Sequence, residues 1–473
     1  MWEIYPPRID PGARSLLVVL VVVFAGALPS SSRATDAATP IHPLIVNGVT
    51  TFSYPAVGAL LLYEDTSASS LYGMCSGTLI GCRTFLTAAH CVCPDNTSDA
   101  ASCERRGIVD PATLRVFFQH AGFFSVSAIS ISPQYSFAVS GDVAAVTLGE
   151  PVTGIAPSPI NSVRRPEVGT AGTIAGFGTT MQGRRSPDDS GIKRQGAITT
   201  AACADGIPDD THLCWQFSGS GSNTCEGDSG GPLFIDFGSG AVLAGVTSGG
   251  NSADCLAPDV GFDSDVFVNR TWIVSAAGAD LGDSSCDLPA VGTASTATAT
   301  TSGTLTTASP DGTWQFDVPV GTALVRIALN AQLGAESGAS DILNDADLYV
   351  RAGSAPTTEA FDCADTNPTP LGFCEIAAPQ AGTWHVLVRM QQGDGAFQVA
   401  ATTFANATAS CPGDCNGDGV ITVDDLLTRL RIALGEAEVS ACSSPIAGGD
   451  GGESVADVLA ALISDVAGCS AAS

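Results

Sequence analysis

Three segments of the chain carry side chains able to do nucleophilic chemistry. Leu86-Thr-Ala-Ala-His-Cys91 sets a histidine directly after an apolar, strand-like stretch. Gly141-Asp142-Val-Ala-Ala-Val-Thr-Leu148 sets an aspartate at the entrance of an apolar run. Cys225-Glu-Gly-Asp-Ser-Gly-Gly-Pro-Leu233 sets a serine in a glycine-dense turn. Acyl transfer to a serine needs a base for the hydroxyl proton, a carboxylate to hold that base in one tautomer, and backbone donors for the oxyanion. His90, Asp142 and Ser229 would supply the side chains. The N–H groups of Gly227 and Ser229 would be the oxyanion donors, with glycines leaving them unobstructed by a Cβ. His42, His120, His212 and His385 lack such a context and read as incidental.

These residues must be positioned by strands. From Ile45 to Cys286 short apolar runs, such as Val57-Gly-Ala-Leu-Leu-Leu-Tyr63 and Ala241-Val-Leu-Ala-Gly-Val246, alternate with Gly, Ser, Asn and Asp clusters. That pattern predicts an all-β barrel or sandwich, closed by one helix-like stretch from Asp265 to Val274. Residues 291–309 are almost wholly Thr, Ala, Ser and Gly, and within 287–310 we expect a linker or the approach to a strand edge. β-type alternation resumes over 311–405, and 411–473 reads as loop, helix, loop, helix.

The 473 residues carry a net charge of −29 and show no basic stripe, which argues against a nucleic-acid partner. Sixteen cysteines point to an oxidising compartment. Arg8 and Arg14 precede an apolar run from Leu16 to Leu28, too short at about 20 Å of helix to span a hydrocarbon core of roughly 30 Å. Small residues follow it. Residues 1–34 are therefore expected to be an export signal, leaving a secreted protein (extracellular, periplasmic or attached to the cell surface) with no membrane segment once the signal is removed.

Thr87-Ala-Ala-His-Cys91 and Gly227-Asp-Ser-Gly-Gly-Pro232, in the order His90, Asp142, Ser229, resemble the trypsin-like, chymotrypsin-fold serine proteases. The resemblance covers Ile45 to about Ala277. It implies two six-stranded β-barrels with the triad in the cleft between them, a serine endopeptidase acting on protein or peptide substrates, and no cofactor for catalysis. Ile45-Val-Asn-Gly48 resembles the family's mature N-terminus, which makes 35–44 an activation peptide and pairs the freed amine of Ile45 with Asp228. Cleavage would fall after Leu44, so the activator need not prefer a basic residue. By the same resemblance Asn223, Ser248, Gly250 and Asp259 belong to the specificity pocket. Members that cleave after Arg or Lys carry an aspartate at the position of Asn223, and Asp259 would supply the carboxylate here, for an Arg/Lys or mixed P1 preference. The resemblance also implies bridges Cys75–Cys91, Cys225–Cys255 and Cys203–Cys214. Cys82, Cys93, Cys103 and Cys286 have no family counterpart; a Cys93–Cys103 loop and a zinc site at Cys91-Val-Cys93 are the competing readings there. The different-class alternative is a catalytically silent adhesion or docking protein on a protease scaffold.

Trp314-Gln-Phe-Asp-Val-Pro319, Asp345-Ala-Asp-Leu-Tyr-Val-Arg351 and Gly382-Thr-Trp-His-Val-Leu-Val-Arg389 resemble the bacterial pre-peptidase C-terminal domain, a β-sandwich appended to secreted peptidases. It implies an accessory role in targeting, substrate-surface contact or removable maturation. Cys363 and Cys374 are expected to bridge within it, and Asp345 and Asp347 are either calcium ligands or solvated acids. Asp414-Cys-Asn-Gly-Asp-Gly-Val-Ile-Thr-Val-Asp-Asp425 resembles a dockerin or EF-hand-like loop, with Asp414, Asn416, Asp418 and Asp425 at calcium-ligand positions. A cohesin-like or cell-surface partner is implied for that module. The expected architecture is mainly β: a double-barrel trypsin-like domain over 45–286, a β-sandwich over 311–405, and a small α-helical calcium-loop module over 411–473.

Overall fold

The computed structural model describes residues 45–67, 71–93, 97–180, 189–252, 254–282, 286, 297–334, 344–405, 415, 423–434 and 437. The expected export signal, activation peptide and calcium-loop ligands Asp414, Asn416 and Asp418 lie outside them. Asp425 falls in a helix over Val423–Ala433, and its side chain is not described.

Hydrophobic runs in the first part become two barrels. β1 (Val49–Thr50), β2 (Val57–Tyr63), β3 (Leu71–Leu79), β4 (Thr84–Thr87), β5 (Leu114–Phe118), β6 (Gly122–Ile131) and β7 (Ala144–Leu148) come first. Of these, β2-β3-β4-β7-β6-β5 close on themselves. The second barrel follows from β8 (Ala171–Gly176), β9 (Arg194–Ala201), β10 (His212–Phe217), β11 (Pro232–Asp236), β12 (Ala241–Gly250) and β13 (Asp259–Asp265). Its order β9-β10-β13-β12-β11-β8 is closed by the β8–β9 pairing, with β1 added at β9. The helix read from sequence forms over Val266–Ala277, capped by the Asp265 carboxylate on the N–H groups of Phe267 and Val268.

The Thr/Ala/Ser run contains a strand. Ala297–Leu305 is a strand, β14, in register with β21 (Gly395–Ala405) through nine residue pairs. Alternating threonines suit an edge strand whose hold is its backbone ladder, so the sparse apolar content that suggested a linker does not exclude it. The other strands are β15 (Asp311–Val318), β16 (Thr322–Ala331), β17 (Asp345–Ala352), β18 (Cys363–Asp365), β19 (Leu371–Ala377) and β20 (Gly382–Gln392). They form two sheets, β14-β21-β16-β19 and β15-β20-β17-β18. Val325, Ile327, Leu329, Val399 and Ala401 face Val386, Val388, Leu348 and Trp384 across the sandwich core.

One sheet is buried on both faces. Its outer residues Ala328, Leu371 and Phe373 join the core of the first barrel. The Phe373 ring lies over Gly122 and the Phe404 ring over Gly154; a Cβ at either glycine would stand 2.4 and 2.7 Å from those rings. Arg326 Nη1 donates to the carbonyl of Thr153 at 2.6 Å and its Nε to Glu375 at 2.8 Å. The two barrels and the sandwich thus belong to one compact unit.

Six disulfides staple the described residues. Cys75–Cys91, Cys203–Cys214, Cys225–Cys255 and Cys363–Cys374 stand as the resemblances imply. Cys93–Cys103 closes the local loop. Cys82–Cys286, 204 residues apart, bolts the segment beyond the second barrel to the first barrel. Cys91 and Cys93 therefore hold no free thiol for zinc.

Candidate active site

β4 and β7 are antiparallel neighbours, with Thr87 opposite Ala144. The end of one strand thus lies beside the start of the other, and this brings His90 to Asp142. His90 sits on a single 3-10 turn, Ala89–Cys91, that Cys75–Cys91 ties to β3. Its Nδ1 is 2.7 Å from Asp142 Oδ2 and its backbone N–H donates to Oδ1 at 3.0 Å. Ser248 Oγ donates to the same Oδ2 at 2.6 Å. Burial would raise the Asp142 carboxyl, yet the neighbouring imidazole and the hydrogen bonds from His90 and Ser248 hold it below its usual range. Burial would likewise lower His90, and the Asp142 charge overrides it and raises the imidazole. Phe137, which sequence reasoning passed over, packs edge-on against His90 with ring centroids 5.6 Å apart.

Ser229 stands in the turn between Cys225 and Gly231, whose shape depends on glycine. Gly227 and Gly230 have φ of 89° and 80°, a region that L side chains rarely enter. A Cβ on Gly230 would come within 2.0 Å of Thr87 Oγ1 and 2.4 Å of the Ser76 carbonyl. The turn is moored to the first barrel by Ser76 N–H donating to the Ser229 carbonyl at 2.8 Å, and by Cys91 Sγ at 3.7 Å from the same oxygen. The Ser229 backbone is therefore held against the residue after His90, and no hydrogen bond joins its hydroxyl to the imidazole. The N–H groups of Gly227 and Ser229 have no acceptor among the described residues. Gly227 is buried and Ser229 half-buried, so both free donors lie at the edge of the turn beside the serine side chain.

The pocket residues are brought together on the other side of the turn. Asn223 is fully buried; its Oδ1 accepts from Trp215 Nε1 at 3.0 Å and its Nδ2 donates to Asp259 Oδ2 at 2.7 Å. Asp259 Oδ1 accepts from the amides of Ser252 and Val260 at 2.7 and 2.8 Å. The strand register pairs Gly250 with Gly261, so the glycine wall opposite Gly250 is two residues beyond Asp259. Asp259 shares that face of β13, and its carboxylate still reaches the floor and lies against Gly250. Ser248, on the same strand as Gly250, turns its hydroxyl to Asp142.

Ile45 is fully buried among Ile174, Ile198, Leu213 and Trp215, and Val46 bridges to Asn223. Its φ is 46°, which β-branched residues rarely adopt. Asp228 accepts from the amides of Gly178 and Cys225, both at 2.9 Å, and no hydrogen bond or ion pair joins it to Ile45. Burial pushes the Asp228 carboxyl up to about 7, against the pull of those two amides and Arg194.

Among the described residues, Cys75, His90 and Cys91 form the one group with metal-ligand spacing, and its two sulfurs are joined to each other. Asp347 is taken by the Tyr349 hydroxyl at 2.8 Å and by Gln391.

The family model for Trypsin matches residues 53–273, and that for the bacterial pre-peptidase C-terminal domain matches residues 312–389. Brachyurin of Leptuca pugilator is 30% identical over 212 residues, 43% of this chain and 88% of that protein. Trypsin eta of Drosophila erecta is 26% identical over 274 residues, 55% of this chain and 98% of that protein. Trypsin of Saccharopolyspora erythraea is 29% identical over 193 residues, 39% of this chain and 78% of that protein.

Proposed function

Because the chain belongs to the trypsin-like serine protease family, we propose that it is a secreted endopeptidase working through an acyl-enzyme on Ser229. Six disulfides suit an extracellular setting. The observation that carries the proposal is the Asp142 carboxylate collecting His90 and Ser248 in the same cleft where the N–H groups of Gly227 and Ser229 have no acceptor among the described residues.

Ser229 Oγ attacks the peptide carbonyl carbon and passes its proton to His90 Nε2, while Nδ1–H stays on Asp142. The oxyanion accepts from Gly227 and Ser229 N–H. Collapse expels the amine, which takes the proton from His90, and water repeats the sequence on the ester. Asp259 is a buried carboxylate beside Asn223 at the pocket floor, held by neutral amide donors, and a carboxylate there supports pairing with an Arg or Lys side chain at P1. Cleavage before Ile45 would turn its amide into an ammonium, and a cation beside Asp228 would replace neutral donors as that carboxylate's partner and order the oxyanion turn.

The test is labelling by an active-site fluorophosphonate after processing at Ile45, with Ser229→Ala as control. Equal labelling of both chains, or none of the wild type, overturns the proposal. Hydrolysis of casein separates an endopeptidase from an esterase confined to small esters. Peptides with Arg, Phe or Ala at P1 test Asp259: no cleavage after Arg removes its role. Full activity with residues before Ile45 still attached removes the activation step.

A further inference from the structure

The outer face of the sheet β14-β21-β16-β19 carries polar side chains that a free sandwich would present to water. Here Gln398 and Asn330 are buried, and they grip the protease backbone at residues 191–193 and at Thr51. Gln398 Oε1 accepts from Lys193 N–H at 2.9 Å, and its Nε2 donates to the carbonyls of Thr51 and Lys193 at 3.2 and 3.4 Å. Asn330 Nδ2 donates to the Gly191 carbonyl at 2.9 Å and to Gln398 Oε1 at 2.8 Å, while its Oδ1 accepts from Gln119 at 3.1 Å. Leu333 N–H donates to the Ser190 carbonyl at 2.9 Å. Asn330 and Gln398 are 0% and 1% exposed. Four consecutive-segment contacts, at Ser190 O, Gly191 O, Lys193 N and Lys193 O, are thus held from outside the protease barrels.

That segment leads to the oxyanion turn in three steps. Gly191 N–H donates to the Phe177 carbonyl at 2.7 Å. The fully buried Arg194 guanidinium donates to the Gly178 carbonyl at 2.9 Å. Gly178 N–H in turn holds Asp228 Oδ1 at 2.9 Å, beside Ser229. Thr51, gripped by the same Gln398, lies six residues after Ile45 and binds Lys193 through its own N–H at 3.0 Å.

We propose that the C-terminal β-sandwich is an internal positioning element of the protease, with Gln398 and Asn330 fixing the Ser190–Lys193 segment and, through Phe177–Gly178, the Asp228–Ser229 turn. This rests on the reading of Ser229 as nucleophile, and it assigns Gln398 and Asn330 as positioning residues that touch no substrate. Misplacing catalytic groups by about an ångström costs on the order of a hundredfold in rate, so partial loosening should fall mainly on kcat.

The test uses the full chain processed at Ile45, as wild type, Gln398→Ala, and Gln398→Ala with Asn330→Ala. The substrate is a short chromogenic peptide amide, too small to reach the sandwich. The expected result is a fall in kcat per folded molecule of about tenfold or more with KM changed by less than about twofold. Hydrogen exchange should quicken at amides 225–230 as well as at 190–193. Unchanged kcat with a lowered melting temperature, or quickened exchange confined to 190–193, overturns the proposal and leaves the sandwich as mere packing. If the double variant does not fold, the single variant decides on the same criteria. A wild type without turnover defeats the nucleophile assignment, and the exchange comparison still decides the coupling.

Discussion

His90 and His120 show what burial does to the same side chain in two parts of one chain. In the cleft, His90 meets the Asp142 carboxylate and is raised above the ordinary imidazole value. In the seam between first barrel and sandwich, His120 has no carboxylate partner: Nε2 donates to the Phe52 carbonyl at 2.9 Å and Nδ1 lies 3.2 Å from Thr402 Oγ1. Burial there, reinforced by the charge of Lys193, lowers it to about 4. Lys193 itself is fully buried, has Tyr54 O at 3.2 Å as its side-chain partner, and is lowered by burial to about 7. Desolvation acts alike in both places, and a single carboxylate decides which one holds a base poised for proton transfer.

The largest expected effect comes from erasing that carboxylate's charge. Asp142→Asn should lower kcat on the order of ten-thousandfold while the fold persists, because the imidazole loses its tautomeric anchor; steady-state kinetics with circular dichroism checks this. In the seam, Lys193→Met should stabilise the chain at pH 7 by roughly a few kcal/mol. The sign follows from a folded-state value of about 7 against the ordinary lysine value of 10.5: stability is complete above 10.5 and is lost as pH falls to about 7, and the variant should lose that slope in denaturant melts across this range. Ser248→Ala removes one charge-assisted hydrogen bond to Asp142 and should cost about tenfold in kcat. The smallest effect is expected from His120→Gln. His120 costs stability as pH falls from its ordinary range to about 4, so the variant should unfold at a slightly lower pH in acid titration. By contrast the acid limb of kcat/KM, which follows His90 in the free enzyme, should lie above pH 6.5.

The cleft was legible in the chain because its chemistry is local. Thr87-Ala-Ala-His-Cys91 and Gly227-Asp-Ser-Gly-Gly-Pro232 each state a turn and its functional group within six residues. Register was less accessible: a two-residue offset decides whether Asp259 or Gly261 faces Gly250, and only the β12–β13 ladder fixes it. The seam was not legible at all. Arg326, Asn330, Gln398 and Thr402 alternate with core residues as a solvated sheet face would, and nothing in that pattern says that a second domain covers it. His120 and His212, read as incidental, are both buried polar groups of just this kind. Cys82 and Cys286 carried no spacing signal, since their partnership comes from tertiary folding across 204 residues.

That last bond bears on how the protein would respond to being nicked. Cys286 stays fastened to the first barrel, and everything beyond the nick still clings through Gln398, Asn330, Arg326 and the phenylalanines seated over Gly122 and Gly154. A cut just after Cys286 would therefore yield two polypeptides that travel together through gel filtration and part only when the chain is denatured.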